Sequence, residues 1–353
     1  MSLSFKIGKN LISSKSKTYF IADIAANHDG DLDRAKKLCE LAKDAGADAA
    51  KFQHFKAETI VNDKGFRDLG GQSHQANWKK SVYETYNDAS VPIDWTPHLK
   101  EHCDKIGIDF FTTPYDLDYV DKLDRFVSTY KIGSGDITWL KMLDKVGSKG
   151  KTVIIASGAS DIEEVIRAVR QLSKYNIKII LMQCNTNYTA NDDNFNYINL
   201  NVLKLYSVLF PDITLGLSDH TFGDETVLGA VTLGAKYIEK HFTDDNYRNG
   251  PDHPFSMNPK TWKKMVDRTR RLELALGSTI KKIEKNELET VVLQRRSIRV
   301  KKDLIKGTII SKDDIIYLRP CPKDSYPIHI DPVGKKLMRD IKINEYLKDH
   351  DLQ

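Results

Sequence analysis

Between residues 18 and 242 the chain alternates two kinds of hydrophobic pattern. Short runs rich in β-branched and aromatic residues occupy 18–25 (TYFIADIA), 47–53 (ADAAKFQ), 108–114 (IDFFTTP), 129–134 (TYKIGS), 152–157 (TVIIAS), 177–184 (IKIILMQC), 213–219 (ITLGLSD) and 236–242 (KYIEKHF). Between them lie segments of helical spacing with charged faces. In DLDRAKKLCELAKDAG, for example, Leu32, Ala35, Leu38, Cys39 and Ala42 share one side and Gly46 supplies the stop. Strand-helix alternation of this kind predicts βα units around a parallel sheet. Eight units closing on themselves give an α/β fold of the (β/α)8, or TIM-barrel, type, although an open doubly wound sheet has a similar local pattern. After ELALGSTI the alternation stops. A charged helical stretch leads into short strands with closely spaced Gly, Pro and Asp, so we expect a barrel over 1–275, a linker over 276–293 and a small β-rich domain over 294–353. About 60 residues is marginal for independent stability, and this domain is expected to bury part of its surface on a barrel.

Length and charge then narrow the function classes. The 353 residues suit a barrel plus a small domain, and 54 Lys and Arg against 49 Asp and Glu leave a net charge of only +5. That excludes a polycationic nucleic-acid binder. No apolar run approaches the roughly 18 residues of a bilayer span, and the first residues, MSLSFKIGKN, lack a signal-peptide core. Cys39, Cys103, Cys184 and Cys321 are scattered without CxxC pairing. The expectation is a soluble cytoplasmic protein with reduced thiols, no membrane segment and no zinc-ribbon site.

In a barrel the chemistry sits at the C-terminal ends of the strands. Here those ends carry Asp23 with Asn27 and His28, Lys51 with Gln53, Thr112 with Thr113, Lys131 with Ser134 and Asp136, Ser157, Gln183 with Asn185, Ser218 with Asp219 and His220, and Glu239 with His241. Any one of these has an ordinary explanation as a turn former. Eight such ends in a row do not. His220 and His241 end neighbouring strands, which aims two imidazoles into one mouth with Asp23, Asp219 and Glu239 near by. This is half of a divalent-metal site, completed by water, carboxylate or substrate oxygens, and it favours Mn²⁺ over closed tetrahedral zinc. Lys51 and Lys131 interrupt apolar strands, where an ammonium needs an anion: either a substrate or an internal carboxylate such as Asp23 or Glu239. Thr113, Ser134, Gly135, Ser157 and Gly158 add donors suited to phosphate or carboxylate oxygens. A small, doubly anionic substrate fits this lining. Arg319, within YLRP, reads first as a surface arginine, though on a cap it could close an anionic site.

The strings IADIAANHDGDLDRAKKL, GADAAKFQHFKAETIV, FFTTPYD, YKIGSGDI, IIASGAS, LGLSDHTFG, LGAKYIEKHFT and GPDHPFSMNP closely resemble those of the sialic acid synthase family, which makes nonulosonic acids from phosphoenolpyruvate and an N-acylated hexose. The tail RRSIRVKKDLIKGTIISKDDI followed by LRP is similar to that family's antifreeze-like, or SAF, domain, a small β-rich β-clip fold. The resemblance covers almost the whole chain and implies a phosphoenolpyruvate-dependent C–C bond-forming transferase. It implies a divalent ion, Mn²⁺ or else Mg²⁺ or Co²⁺, on His220 and His241. Lys51, Thr113, Lys131, Ser134, Ser157 and Ser218 match the phosphoenolpyruvate set, and Gln53, Tyr115, Tyr188 and Asp252 match positions around the sugar. Asp23, Asp136 and Glu239 are the expected catalytic carboxylates, with Asp136 expected as the main acid/base group because it follows a phosphate-binding serine. The family's domain-swapped homodimer implies that Arg319 reaches the sugar's N-acyl group in the other subunit.

This sequence also departs from the family. Asp23 and Asp136 stand where glutamate is usual, each arm shorter by about 1.3 Å. CNTNYT places Thr186 where asparagine is expected, and CPKDSYP replaces a glycine-rich turn after LRP. The stretch NWKKSVYETYNDASVPIDWTPHL resembles the pseudaminic branch, whereas GPDHPFS resembles the sialic and legionaminic branches. Competing readings are another metal-dependent barrel aldolase, a 3-deoxy sugar-acid synthase, and a sugar-binding paralogue without catalysis.

Overall fold

The computed structural model describes residues 5–7, 10–12, 16–71, 75, 78–189 and 191–353. It divides into two compact units, Met1–Gly277 and Ser278–Gln353. In the first, an antiparallel pair of β1 (Phe5–Ile7) and β2 (Asn10–Ile12), which the hydrophobic pattern does not anticipate, precedes a closed parallel barrel. Its staves are β3 (Tyr19–Asp23), β4 (Ala49–His54), β5 (Asp109–Pro114), β6 (Thr129–Ile132), β7 (Thr152–Ala156), β8 (Ile179–Cys184), β9 (Thr214–Asp219) and β10 (Tyr237–His241), with β10 pairing back onto β3. Closure settles the choice between barrel and open sheet.

Both faces of every stave are buried, which is why the strands read as nearly continuous apolar runs. Inward residues such as Tyr19, Ile21, Phe111, Ile154, Ile180, Met182 and Tyr237 fill the barrel's own core. Outward ones such as Phe20, Ala22, Phe52 and Phe110 pack with the helical ring. The helix Leu32–Asp44 is typical of that ring: Asp31 caps it by accepting from the Asp33 and Arg34 amides, and Ala35, Leu38, Cys39 and Ala42 form its buried stripe. Register then sets what the mouth contains. His241 lies opposite Asp23, Asp23 opposite Lys51, and Gln53 opposite Thr113, so polar groups from four strands share adjoining tiers.

The second unit opens with exposed chain and the helix Leu288–Gln294, within and just beyond the stretch read as a linker. Its regular sheet is one antiparallel pair, β11 (Ser297–Val300) with β12 (Ile315–Leu318); isolated bridges such as Leu304↔Ile341 and Leu337↔Leu352 supply the rest. Ile298, Val300, Leu304, Ile310, Leu337, Ile341 and Leu347 form its separate core. Arg319 follows β12 and is exposed. Among the described residues no helix is long and apolar enough to cross a membrane.

Gly216 in β9 marks where the barrel wall is tightest. A Cβ there would stand 2.7 Å from the Tyr237 carbonyl and 3.0 Å from Met182 Cγ. Gly216→Ala is therefore expected to cost about 1–3 kcal/mol by overpacking, read as a lowered urea midpoint. An unchanged midpoint would mean that the β9–β10 seam yields without cost.

Candidate active site

The floor of the barrel mouth is a buried lattice of alternating charge. Lys51 Nζ donates to Asp23 at 2.6 Å and stands 3.5 Å from Glu239; Lys131 Nζ donates to Glu239 at 2.6 Å. All four side chains are 5% exposed or less. Both lysines have thus taken the internal carboxylates as partners, the alternative that their burial leaves open, and the floor is neutral overall. Burial pushes the Asp23 and Glu239 carboxyls up, but the adjoining ammoniums outweigh it and hold both below their usual range. For Lys51 the two carboxylates outweigh burial in the same way and raise its pKa. Gln53 donates to Asp23 at 3.0 Å, and the Thr113 and Ser218 hydroxyls lie 3.4 Å from Lys51 and Glu239. An ammonium has three donors, so pairing neutralises the charge without exhausting the hydrogen bonds. Glu239 Oε2 is buried without a hydrogen-bond partner among the described residues.

Above this floor stand the two imidazoles. The His220 and His241 ring centroids are 5.4 Å apart. His220 Nδ1 lies 2.9 Å from the Asn185 carbonyl, which can only accept. In the neutral ring Nδ1 therefore carries the proton and Nε2 is the acceptor, and the buried Cys184 thiol also hydrogen-bonds with this ring. His241 is 3.6 Å from Asp23 on one side and 3.6 Å from Asp252 on the other, beyond hydrogen-bond reach, and its Nδ1 is buried without a partner. Phe255 and Tyr188 each meet both imidazoles edge-on or tilted and fix the ring planes. Among the described residues no three His, Cys, Asp or Glu side chains converge as a ready-made metal cage. Two neighbouring imidazoles, one also hydrogen-bonded by the Cys184 thiol and the other flanked by Asp23 and Asp252, suit an ion that takes most of its shell from water and ligand oxygens, as Mn²⁺ does.

Asp219 does not belong to this mouth. Side chains alternate along a strand, so with Ser218 facing the barrel interior Asp219 faces outward, toward the helix Glu225–Thr232, and it pairs there with Lys240. Counting it among the carboxylates near the metal is corrected by that alternation.

A third group lies at the ends of β6, β7 and β8. Ser134 Oγ accepts from the Gly158 amide at 3.1 Å, and a Cβ on residue 158 would fall 1.9 Å from Thr186 Oγ1 and 2.8 Å from Ser134 Oγ. Glycine at 158 thus keeps a small cradle open between Ser134, Thr186 and the buried Cys184. Ser157 is already engaged by the wall: it donates to the Met182 carbonyl at 3.0 Å and accepts from Tyr206 at 2.9 Å.

A cavity of about 450 Å³ adjoins these groups and is reached by Gln53, His241 and Thr186 from them; Tyr115, Asp136, Tyr188 and Asp252, like Gln53 and His241 expected from sequence, also line it, with Phe55, Trp78 and Tyr86 as additions. Phe55 packs against Tyr86 and Tyr115 to make an aromatic wall. Aromatic residues in loops and short helices look like ordinary core in a single sequence, and only the folded barrel brings them to one space. Asp136 sits in the short turn Ser134–Asp136 after β6, and burial alone raises its carboxyl from the usual 3.8 to about 6. Arg319 belongs to the other unit.

A closed barrel whose mouth combines a neutralised lysine-carboxylate floor, paired imidazoles and a half-buried carboxyl of raised pKa has the equipment of an enzyme for oxygen-rich, anionic substrates. Residues 38–281 match the NeuB family and residues 295–353 the SAF domain. The chain belongs to the NeuB family, whose general reaction is phosphoenolpyruvate condensation and whose members use N-acyl hexose substrates. It is 36% identical to the N,N'-diacetyllegionaminic acid synthase of Campylobacter jejuni, over 94% of this chain and 99% of that one. It is 38% identical to the Legionella pneumophila protein of the same name, over 87% and 86%. A solved N-acetylneuraminic acid synthetase from Leptospira borgpetersenii superposes with a TM-score of 0.71 at 30% identity, covering 82% of this chain and 96% of that one.

The charge lattice makes a prediction independent of any substrate. Lys131→Met strands the Glu239 carboxylate in the floor and should cost about 3–5 kcal/mol in urea unfolding at pH 7. Lys131→Met with Glu239→Gln should recover most of that loss. Equal losses in the two variants would mean that Lys131 contributes packing and not charge.

Proposed function

We propose that this chain condenses phosphoenolpyruvate with an N-acylated hexose of the 2,4-diacetamido-2,4,6-trideoxy type to give a legionaminic-type nonulosonic acid and inorganic phosphate. What supports the reading is a cavity of about 450 Å³ lined by Gln53, Asp136 and His241 in a NeuB-family barrel, where Gln53 bonds Asp23 of the lysine-carboxylate floor and His241 stands beside His220. The acceptor is favoured by the two legionaminic acid synthases among its relatives and by the aromatic wall of Phe55, Tyr86 and Tyr115, which suits acetamido methyls and a deoxy carbon better than hydroxyls. A cytoplasmic setting and a homodimer in which Arg319 faces the acyl group belong to the same reading.

In this reading Lys51 and Lys131 hold the phosphate and carboxylate of phosphoenolpyruvate with their remaining donors, helped by Thr113, Ser134 and Ser218. Ser157 contributes indirectly, because its hydroxyl is held by Met182 and Tyr206. Gln53, Tyr115, Tyr188 and Asp252 orient the sugar. A divalent ion, Mn²⁺ or a similar metal, held by His220 and His241 would supply Lewis-acid polarisation of the sugar aldehyde. Carbon 3 of phosphoenolpyruvate bonds to the aldehyde carbon, which leaves positive charge at C2; Asp23 and Glu239, held ionised, stabilise it. The aldehyde oxygen becomes an alkoxide; Asp136 accepts a proton of the water that adds to C2 and returns it to that alkoxide, and the C2 hydroxyl gives up its proton to the departing phosphate as the carbonyl forms and the C–O bond breaks.

Screening purified protein with phosphoenolpyruvate, Mn²⁺ and four acceptors, namely N-acetylmannosamine, the diacetamido-trideoxyhexoses leading to legionaminic and pseudaminic acids, and a phosphorylated aldose, tests the proposal. Phosphate release and the product mass should single out the legionaminic precursor. Release only with a phosphorylated aldose would favour a 3-deoxy sugar-acid synthase, and binding without turnover would favour the non-catalytic paralogue. The Asp136 carboxyl gives a second test. With its pKa raised to about 6, a base at this position loses function as pH falls through about 6. Linkage has the corresponding sign. Ionising Asp136 costs the fold no more than about 3 kcal/mol, a cost present above pH 6 and relieved below it. Asp136→Asn should therefore abolish turnover while raising the melting temperature at pH 8 but not at pH 4. Near-normal turnover in that variant would refute the assignment.

A further inference from the structure

Behind the barrel wall, on the side away from the cavity, lies a buried ion pair that the chemistry above does not use. Lys240 and Asp219 are paired there with side-chain exposures of 1% and 0%. They are register partners on neighbouring strands, Lys240 of β10 opposite Asp219 of β9. Each immediately precedes one of the two imidazoles in the chain, His241 and His220. Asp219 also accepts from the Thr221 amide at 3.2 Å, from the Thr221 hydroxyl at 3.0 Å and from Thr226 Oγ1 at 2.7 Å. Lys240 Nζ donates in addition to the Thr221 carbonyl at 2.6 Å. One ammonium therefore grips the residues on both sides of His220 while its own backbone carries His241.

Geometry explains why the pair faces backward. Strand residues alternate between faces, so Glu239 and His241 look into the barrel and Lys240 looks out; Ser218 looks in and Asp219 looks out. The helix Glu225–Thr232, which supplies Thr226, closes over the pair. An ion pair in such a place is weak evidence for stability, because well-packed neutral groups of similar shape do as well. Its geometry does something that neutral packing cannot: it fixes the ends of two neighbouring strands relative to each other where each releases an imidazole.

We infer that Asp219 and Lys240 are positioning residues, a clamp behind the wall that sets the spacing and aim of His220 and His241. The spacing belongs to the chain without any ion. Its consequence for metal binding rests on the proposed function. Groups one shell removed from a metal ligand commonly change affinity by about 10–100-fold when lost, and the clamp should behave as such a shell acting through the backbone.

Two variants test this. Asp219→Asn with Lys240→Met removes both charges with near-isosteric neutral groups, and Thr226→Val removes one hydrogen bond to Asp219 while keeping its shape. Mn²⁺ titrations followed by electron paramagnetic resonance and metal-free crystal structures are the readouts. The double variant should melt close to wild type, bind Mn²⁺ about 10–100-fold more weakly, and show the rings displaced from their 5.4 Å separation. Thr226→Val should give a smaller loss in the same direction, and it decides the matter if the double variant does not fold. Leu38→Ala, a core cavity in the helix Leu32–Asp44, should lower the melting temperature without changing Mn²⁺ affinity. Folded variants with unchanged ring separation and unchanged affinity would overturn the clamp. Wild-type protein that neither binds Mn²⁺ nor releases phosphate would instead sink the functional reading, and ring separation in the metal-free crystals would still decide whether the clamp exists.

Discussion

Two ammoniums and two carboxylates are buried together inside the barrel, and the rest of the mouth depends on that lattice. No member can be buried alone, because an isolated charge in a medium of low polarity is prohibitively costly. Asp23, Lys51, Lys131 and Glu239 come from β3, β4, β6 and β10, so the lattice forms only when the barrel closes and only in one register. A one-residue slip of β10 would turn Glu239 into the helical ring and bring Lys240 inward, placing three ammoniums against one carboxylate. The arrangement that satisfies charge is therefore the one that aims His241 into the cavity.

The same alternation accounts for what the sequence made legible. Strand positions stood out because both faces of each stave are apolar, and the helix Leu32–Asp44 because its stripe, cap and stop all agree. Polar residues at strand ends stood out because burial there needs a reason. Their partners did not. A strand's period assigns a face, not the residue across the barrel, so Lys51 could be read as free for substrate or paired with Asp23, and only closure decides. Asp219 shows the limit most plainly: beside His220 in sequence, it faces the other side of the wall.

The aromatic side of the cavity was hidden for a different reason. Phe55, Trp78 and Phe255 lie outside regular elements, where a single large apolar residue carries no period to interpret, and Tyr86 sits in the short helix Val82–Ala89, whose period assigns a face but not the cavity it meets. Their placement also bears on the family resemblance. The stretch with a pseudaminic-like pattern contributes Trp78 and Tyr86 to the acceptor wall, while GPDHPFS contributes Asp252 and the Phe255 that braces both imidazoles. The two motifs serve different parts of one pocket, and their mixture need not signal conflict.

Aspartate, where the family resemblance leads one to expect glutamate, has opposite consequences at the two positions. Asp23 is reached by Lys51 and Gln53, so the short arm is met by partners and its charge is secured. Among the described residues Asp136 meets no such partner, and burial alone pushes its carboxyl up to about 6. One residue type is thus driven toward two protonation behaviours by environment, the condition under which a pair of acids divides labour. A carboxylate that stays ionised can stabilise developing positive charge but makes a poor proton carrier near neutrality. One poised near 6 can take and return a proton there. Shortening the arm at 136 preserves that poise because the poise comes from the apolar surroundings and not from a partner that a longer arm would be needed to reach.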